Sequence, residues 1–222
     1  MAGTEANSTI VTAVITGGHA FDVPGFHRLW RSLPGVDAYV QDLENFCSDE
    51  GHVRDQYGVL VFYNMHRETP SLDRQGEKRV RLALEALGKT TQGILILHHA
   101  LLAYLEWPLW SEIVGIQDRN ISGYFHDETV RIEVAKADHP ITQGLSAWSM
   151  VDETYTMQDA GEGSTILLTT EHPRSLRTIG WTRQYGQARV FCLESGHDDQ
   201  AYTNPHLREV LARGIRWLAG KL

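Results

Sequence analysis

The sequence predicts an α/β domain built on a doubly wound, mostly parallel central sheet with helices on both faces, extended by antiparallel strands in its C-terminal half. Three observations carry that expectation. Short apolar runs rich in β-branched residues alternate with amphipathic helical patterns through the first half of the chain. Several of those runs stop abruptly at Gly, Asn or His, as buried parallel strands do where they leave the sheet. After Gly115 the pattern changes to closely spaced strand-like pieces, which favours antiparallel pairing.

Taken in order, Ile10 to Thr16 is a first buried strand ending at Gly17-Gly18-His19. Pro24 suits a first helical turn, and Phe26, Leu29, Trp30 and Leu33 recur at helical spacing until Pro34-Gly35. Val36 to Val40 is a short second strand, and Tyr57 to Tyr63 a third, ending at Asn64-Met65-His66. Glu77 to Leu87 reads as an amphipathic helix closed by Gly88. The most apolar strand, Gly93 to Leu97, runs straight into His98-His99 and a helix holding Trp107 and Trp110. Strands follow at Thr129 to Val134, Glu153 to Met157, Thr165 to Thr170, Ser175 to Thr182 and Arg189 to Glu194. A helix from about Asn204 to Leu218 then shows Leu207, Val210, Leu211, Ile215 and Leu218 on one face. With no repeat and no linker, a single domain over residues 1–222 is expected.

Composition narrows the function. The net charge of −8, with Lys and Arg scattered, speaks against nucleic acid. No apolar run reaches the roughly 20 residues that span a bilayer, and the opening MAGTEANSTI has neither a basic start nor a hydrophobic centre, so no membrane partner and a cytoplasmic location are expected. Cys47 and Cys192 stand far apart in no metal-binding spacing and read as inert.

In doubly wound sheets ligands collect at the carboxyl ends of the strands. His19, His66, His98, His99 and His197 all follow predicted strands, so imidazoles remote in sequence are expected to converge there. Together with the carboxylates Asp22, Glu153, Glu194 and Asp198 they form a set that either binds a divalent metal such as zinc or acts as general acid and base. No close-spaced motif of the His-Glu-x-x-His kind decides between the two. Strand alternation puts Glu153 and Tyr155 on one face; if that face meets the pocket Glu153 is the base, and otherwise it is a solvated edge-strand acid. Trp107 and Trp148 are candidate pocket walls, whereas Trp30 and Trp217 sit on apolar helix faces and read as packing. His139 to Leu145 reads as architectural, with Pro140 and Gly144 shaping a turn. Gly17-Gly18 lacks the rest of a phosphate loop, which speaks against a nucleotide site.

The succession T-G-G-H (Thr16 to His19), L-H-H-A (Leu97 to Ala100), H-P-I-T-Q-G-L (His139 to Leu145), D-E-T-Y (Asp152 to Tyr155) and E-S-G-H-D (Glu194 to Asp198) covers nearly the whole chain in order. It resembles the ThuA-like, trehalose-utilisation family. The resemblance implies a flavodoxin-like fold similar to class I glutamine amidotransferases, and a link to sugar utilisation. In that fold a nucleophilic cysteine would sit in the turn after the Gly93 to Leu97 strand, where this chain has His98 and His99 instead; thiolate glutaminase chemistry is not expected.

The expectation is therefore hydrolysis or proton transfer on a small-molecule sugar, a disaccharide or keto-sugar. His98, His99 and Glu153 are the expected catalytic residues, and His19, Tyr155, Trp107 and Asp198 the sugar-binding ones. His19 and His197 are the expected ligands of any metal. The competing readings are a non-catalytic sugar- or partner-binding module and a structural subunit; a homo-oligomer is compatible with each.

Overall fold

The computed structural model describes residues 9–49 and 52–222. Residues 1–8, most of the opening stretch read above as lacking a leader, lie outside them. The strands are β1 (Ile10–Thr16), β2 (Val36–Asp42), β3 (Val59–Phe62), β4 (Gly93–Leu97), β5 (Gly123–Val134), β6 (Trp148–Thr156), β7 (Thr165–Thr169), β8 (Thr178–Tyr185) and β9 (Ala188–Leu193). The helices are α1 (Val23–Ser32), α2 (Leu43–Cys47), α3 (Gln75–Glu85), α4 (Pro108–Val114), α5 (Asp199–Tyr202) and α6 (Pro205–Leu218).

One nine-stranded sheet runs in the order β2-β1-β3-β4-β9-β8-β7-β5-β6. The first five strands of that order are parallel, and from β9 onward each neighbour is antiparallel. The sheet is thus mixed, almost evenly divided, which corrects the expectation of a mostly parallel one. The antiparallel portion is larger because β5 and β6 begin six and five residues earlier than the sequence pattern places them.

Both faces of the parallel half are covered. Ile15, Phe62, Ile96 and Cys192 point into a core closed by α2, α3 and α4, while Val14, Val61, Leu97 and Leu193 point into another closed by α1 and α6. All five residues of β4 are buried, which is why its sequence is uninterruptedly apolar. Local signals set the helix ends. Asp22 caps α1 by accepting from the Gly25 N–H, and Asn204 caps α6 by accepting from the His206 and Leu207 N–H groups ahead of a stripe of buried Leu, Val and Ile side chains. Burying each of those aliphatic groups contributes about 1.5–3 kcal/mol.

Trp107 and Trp148 are not pocket walls. Trp107 is 5% exposed, lies edge-on to Tyr104 and carries the Arg81 guanidinium on its face, and Trp148 is stacked on His206. Each lies beside an element that buries it, α4 in one case and β6 with α6 in the other. Among the described residues no helix is long and apolar enough to cross a membrane.

Candidate active site

The chain leaves β1 toward β2 on one side and returns to β3 on the other, so the sheet's connections diverge at β1. The segments leaving β1, β4 and β9 at their carboxyl ends carry His19, His98-His99 and His197. With His126 of β5 their rings form a continuous row: His19 to His99 at 4.1 Å between centroids, His99 to His98 at 4.5 Å, His98 to His197 at 5.2 Å, and His197 to His126 at 5.1 Å.

His98 follows β4 directly with a left-handed φ of 45° and opens a short 3₁₀ turn. A β-carbon in that region is unfavourable by about 1–2 kcal/mol, so the surroundings must hold it there. Arg119 does much of this. Its buried guanidinium donates to the carbonyls of Leu101, Ala103 and Tyr104 and to Ser111 Oγ, tying down the loop that follows the two histidines. His98 Nδ1 donates to the Glu194 carbonyl at 2.5 Å, which turns Nε2 toward the pocket.

The acids come from the antiparallel half. β5 and β6 form a long ribbon whose far end folds over the strand ends, where the Tyr155 N–H donates to Glu194 Oε1 at 3.2 Å. Glu153 and Tyr155 share a face and both meet His98, the first at 3.4 Å and the second, through its hydroxyl, at 2.7 Å. Glu153 is 5% exposed, and its other oxygen lies 2.9 Å from His126 Nδ1. It is therefore no solvated edge acid. A bulge between Phe125 and Glu128, with Asp127 at a left-handed φ of 56°, interrupts the ladder where His126 turns toward Glu153.

Asp152, on the opposite face of β6, accepts from the Gly196 N–H at 2.8 Å and the His197 N–H at 3.0 Å, so one buried carboxylate positions the turn that bears His197. Burial pushes the Asp152 carboxyl up to about 6, against its own hydrogen bonds, and pushes that of Glu194 well up with the Asp152 charge adding to it. Burial raises Glu153 too, but the hydrogen bond and charge of His98 outweigh it, with Tyr155 and His197, and hold the carboxyl down at about 2. Of the three crowded acids Glu153 is thus the most readily ionised. His99 is driven well below the usual imidazole range by burial and by the neighbouring rings, and His197 is lowered for the same reasons.

His19, His99, His126, His197, Glu153 and Tyr155 line a cavity of about 420 Å³ together with Phe21, Asp22, Leu102, Ile121, Tyr124 and Asp198, while His98 lies buried behind that lining. Not every expected residue serves as the sequence suggested. Trp107 lines no part of the cavity. His19 lies against the ring of His99 with Nδ1 bonded to the Ala20 carbonyl, and it is absent from the set of convergent donor atoms, which corrects its reading as a metal ligand. Asp198 caps α5 through the Gln200 N–H while lining the rim. Neither cysteine reaches the cavity, and burial pushes the Cys47 thiol up to about 12 and that of Cys192 higher still.

The sequence reading missed His126 and the roles of Asp152 and Arg119. His126 and Asp152 act through the bulge and the β6–β9 junction, which no local pattern announces; for Asp152 the one available signal was its place beside Glu153 in a strand with both faces covered.

A family model described as trehalose utilisation, ThuA, matches residues 32–218. Among solved structures, a protein described as ThuA-like from Parabacteroides merdae is 22% identical with a TM-score of 0.72, over 97% of this chain and 92% of that one. A cytoplasmic protein of Salmonella typhimurium is 13% identical with a TM-score of 0.64, covering 93% and 98% of the two chains. A glutamine amidotransferase of Thermotoga maritima shares the fold at 9% identity and a TM-score of 0.56, covering 95% and 98%. No curated protein sequence matches the chain.

Proposed function

The chain belongs to the ThuA, trehalose-utilisation, family, and from that premise we propose that it is a sugar-catabolic enzyme that moves a proton on, or hydrolyses, a disaccharide or keto-sugar in the His–Glu cavity. The observation that carries the reading is a row of five imidazoles of which four, with the buried carboxylate of Glu153, line a cavity of about 420 Å³. That volume falls in the range of roughly 300–1,000 Å³ used for small ligands. The lining also includes Phe21, Leu102, Ile121 and Tyr124, apolar groups against which the C–H face of a sugar can pack.

Within this reading Glu153 is the anchor rather than the base, because both its oxygens are already engaged by histidines. His126 carries the proton. Its Nδ1 faces Glu153 at 2.9 Å, and its ring, 55% exposed, leaves Nε2 to meet a sugar hydroxyl or the hydrogen beside a carbonyl. His99 and Tyr155 face the reacting oxygen. A cytoplasmic location belongs to the same proposal, supported by the Salmonella protein of the same fold.

The test is a panel of disaccharides and keto-sugars incubated with the pure protein and with His126→Ala and Glu153→Ala. Turnover of at least one sugar, lowered about 10²-fold or more in both variants, is expected. Sugars that raise the melting temperature without being consumed would instead establish a binding module. Unchanged turnover in both variants would remove these residues from the chemistry.

A further inference from the structure

At the inner end of the cavity three donor atoms face one another. His98 Nε2 lies 3.2 Å from His197 Nδ1 and 3.4 Å from Glu153 Oε1, and His197 Nδ1 lies 3.5 Å from that oxygen. The Glu194 carbonyl engages Nδ1 of His98, so Nε2 is the ring nitrogen that faces this triangle. The Tyr155 hydroxyl approaches the same nitrogen at 2.7 Å, a single O–H for a group of electron-rich atoms.

The triangle has the size of a coordination face. First-row divalent ions bind imidazole nitrogen and carboxylate oxygen at about 2.0–2.2 Å, and two tetrahedral ligands at that distance stand about 3.3–3.6 Å apart. Two of the observed spacings, 3.4 and 3.5 Å, fall within that range and the third, 3.2 Å, lies just below it. A second observation points the same way: His99 is 1% exposed, neither of its ring nitrogens has a hydrogen-bond partner, and its ligand atom lies within 4.8 Å of the other three. A buried polar ring left unpaired costs about 1–3 kcal/mol, which a bound ion would offset.

We propose that His98, Glu153 and His197 hold a divalent cation of the zinc type, with His99 at the fourth corner. Imidazole and carboxylate donors suit zinc and its first-row neighbours. The fourth corner lies on the cavity side, where water or a sugar oxygen could take it by displacing His99. The ion's use on a sugar rests on the pocket reading above; its binding does not. When bound it would polarise a hydroxyl or carbonyl oxygen. Glu153 serves both readings, since one oxygen faces the cation and the other holds His126. Asp152 and the Glu194 carbonyl position the ligands without touching the ion.

The experiment needs no substrate. Full-length protein stripped with a chelator is reloaded with Zn²⁺ or Co²⁺, desalted, and read by elemental analysis, visible spectrum and melting temperature. About one ion per chain is expected, with a raised melting temperature and the intense visible bands of four-coordinate cobalt. Glu153→Gln and His197→Ala each bind at least tenfold more weakly, and His66→Ala, outside the donor set, binds as the wild type does. Substoichiometric uptake by the wild type, a weak six-coordinate cobalt spectrum, or undiminished binding in Glu153→Gln and His197→Ala would overturn the proposal. The wild-type measurements decide it even if a variant misfolds. Sugar turnover that survives complete chelation would remove the metal and keep the pocket; loading without turnover of any sugar would do the reverse.

Discussion

The two halves of the sheet contribute different chemistry. The parallel half delivers imidazoles, because β1, β4 and β9 each end in a histidine-bearing turn at the same edge. The antiparallel half delivers acids, because the β5–β6 ribbon brings Asp152, Glu153 and Tyr155 back over that edge and adds His126 from a bulge. Neither half has a site of its own. The difference teaches that the strand-end rule finds where ligands gather, while what happens to them depends on an element that reaches the edge from elsewhere.

The sharpest way to break this comparison is to remove one member from each half. Glu153→Ala and His98→Ala are expected to lower sugar turnover by similar factors, about 10²–10⁴-fold. A large loss from one and none from the other, measured as kcat/KM on the same sugar, would show that a single half carries the chemistry. Asp152→Ala probes the junction. With the Gly196 and His197 N–H groups released, metal affinity or turnover falls by about 10–100-fold with the far-ultraviolet circular dichroism unchanged.

Smaller still is an effect far from the junction. Arg54 donates to Asp49 at 2.9 Å and holds its carboxyl below the ordinary range against the upward push of burial. A depressed carboxyl stabilises the fold above its unfolded value, near 3.9, and that contribution is lost as pH falls through the lower folded value. Asp49→Asn should therefore cost about 1 kcal/mol at neutral pH, with the gap to the wild type closing in acid below pH 4. Equal sensitivity of both proteins across that range, in urea melts, would refute it. At the bottom of the scale, Cys47→Ala and Cys192→Ala should leave turnover untouched, since both thiols lie in the core away from the cavity; inactivation by either would return thiol chemistry to the fold.

Much of the parallel half was legible in the sequence because its signals are local. The Gly93 to Leu97 run needs no partner to be recognised, and the Asp22-Pro24 and Asn204-Pro205 starts announce their helices through capping groups one turn away. The strand-end histidines could be named for the same reason. The outer ends of β5 and β6 could not. Gly123 to Glu128 alternates exposed and half-buried residues with no apolar face, and it is a strand only because β6 lies beside it. Trp107 was misread because the chain around it looked irregular, when the 3₁₀ turn and α4 enclose it. Arg119 gave no signal at all, since what it binds is backbone, and backbone has no letter in the sequence.

The position of β9 carries one more consequence. Its strand lies between β4 and β8, yet it is the last to be made. On the ribosome, β4 must wait about ninety residues for the neighbour that covers its free edge, and until then an unpaired, wholly apolar ladder is open to other nascent chains. The same insertion makes the histidine-lined edge a late event of folding: His98 meets the Glu194 carbonyl and His197 only when the final strand is in place, so an incomplete or misassembled chain lacks the assembled cluster before any protease finds it.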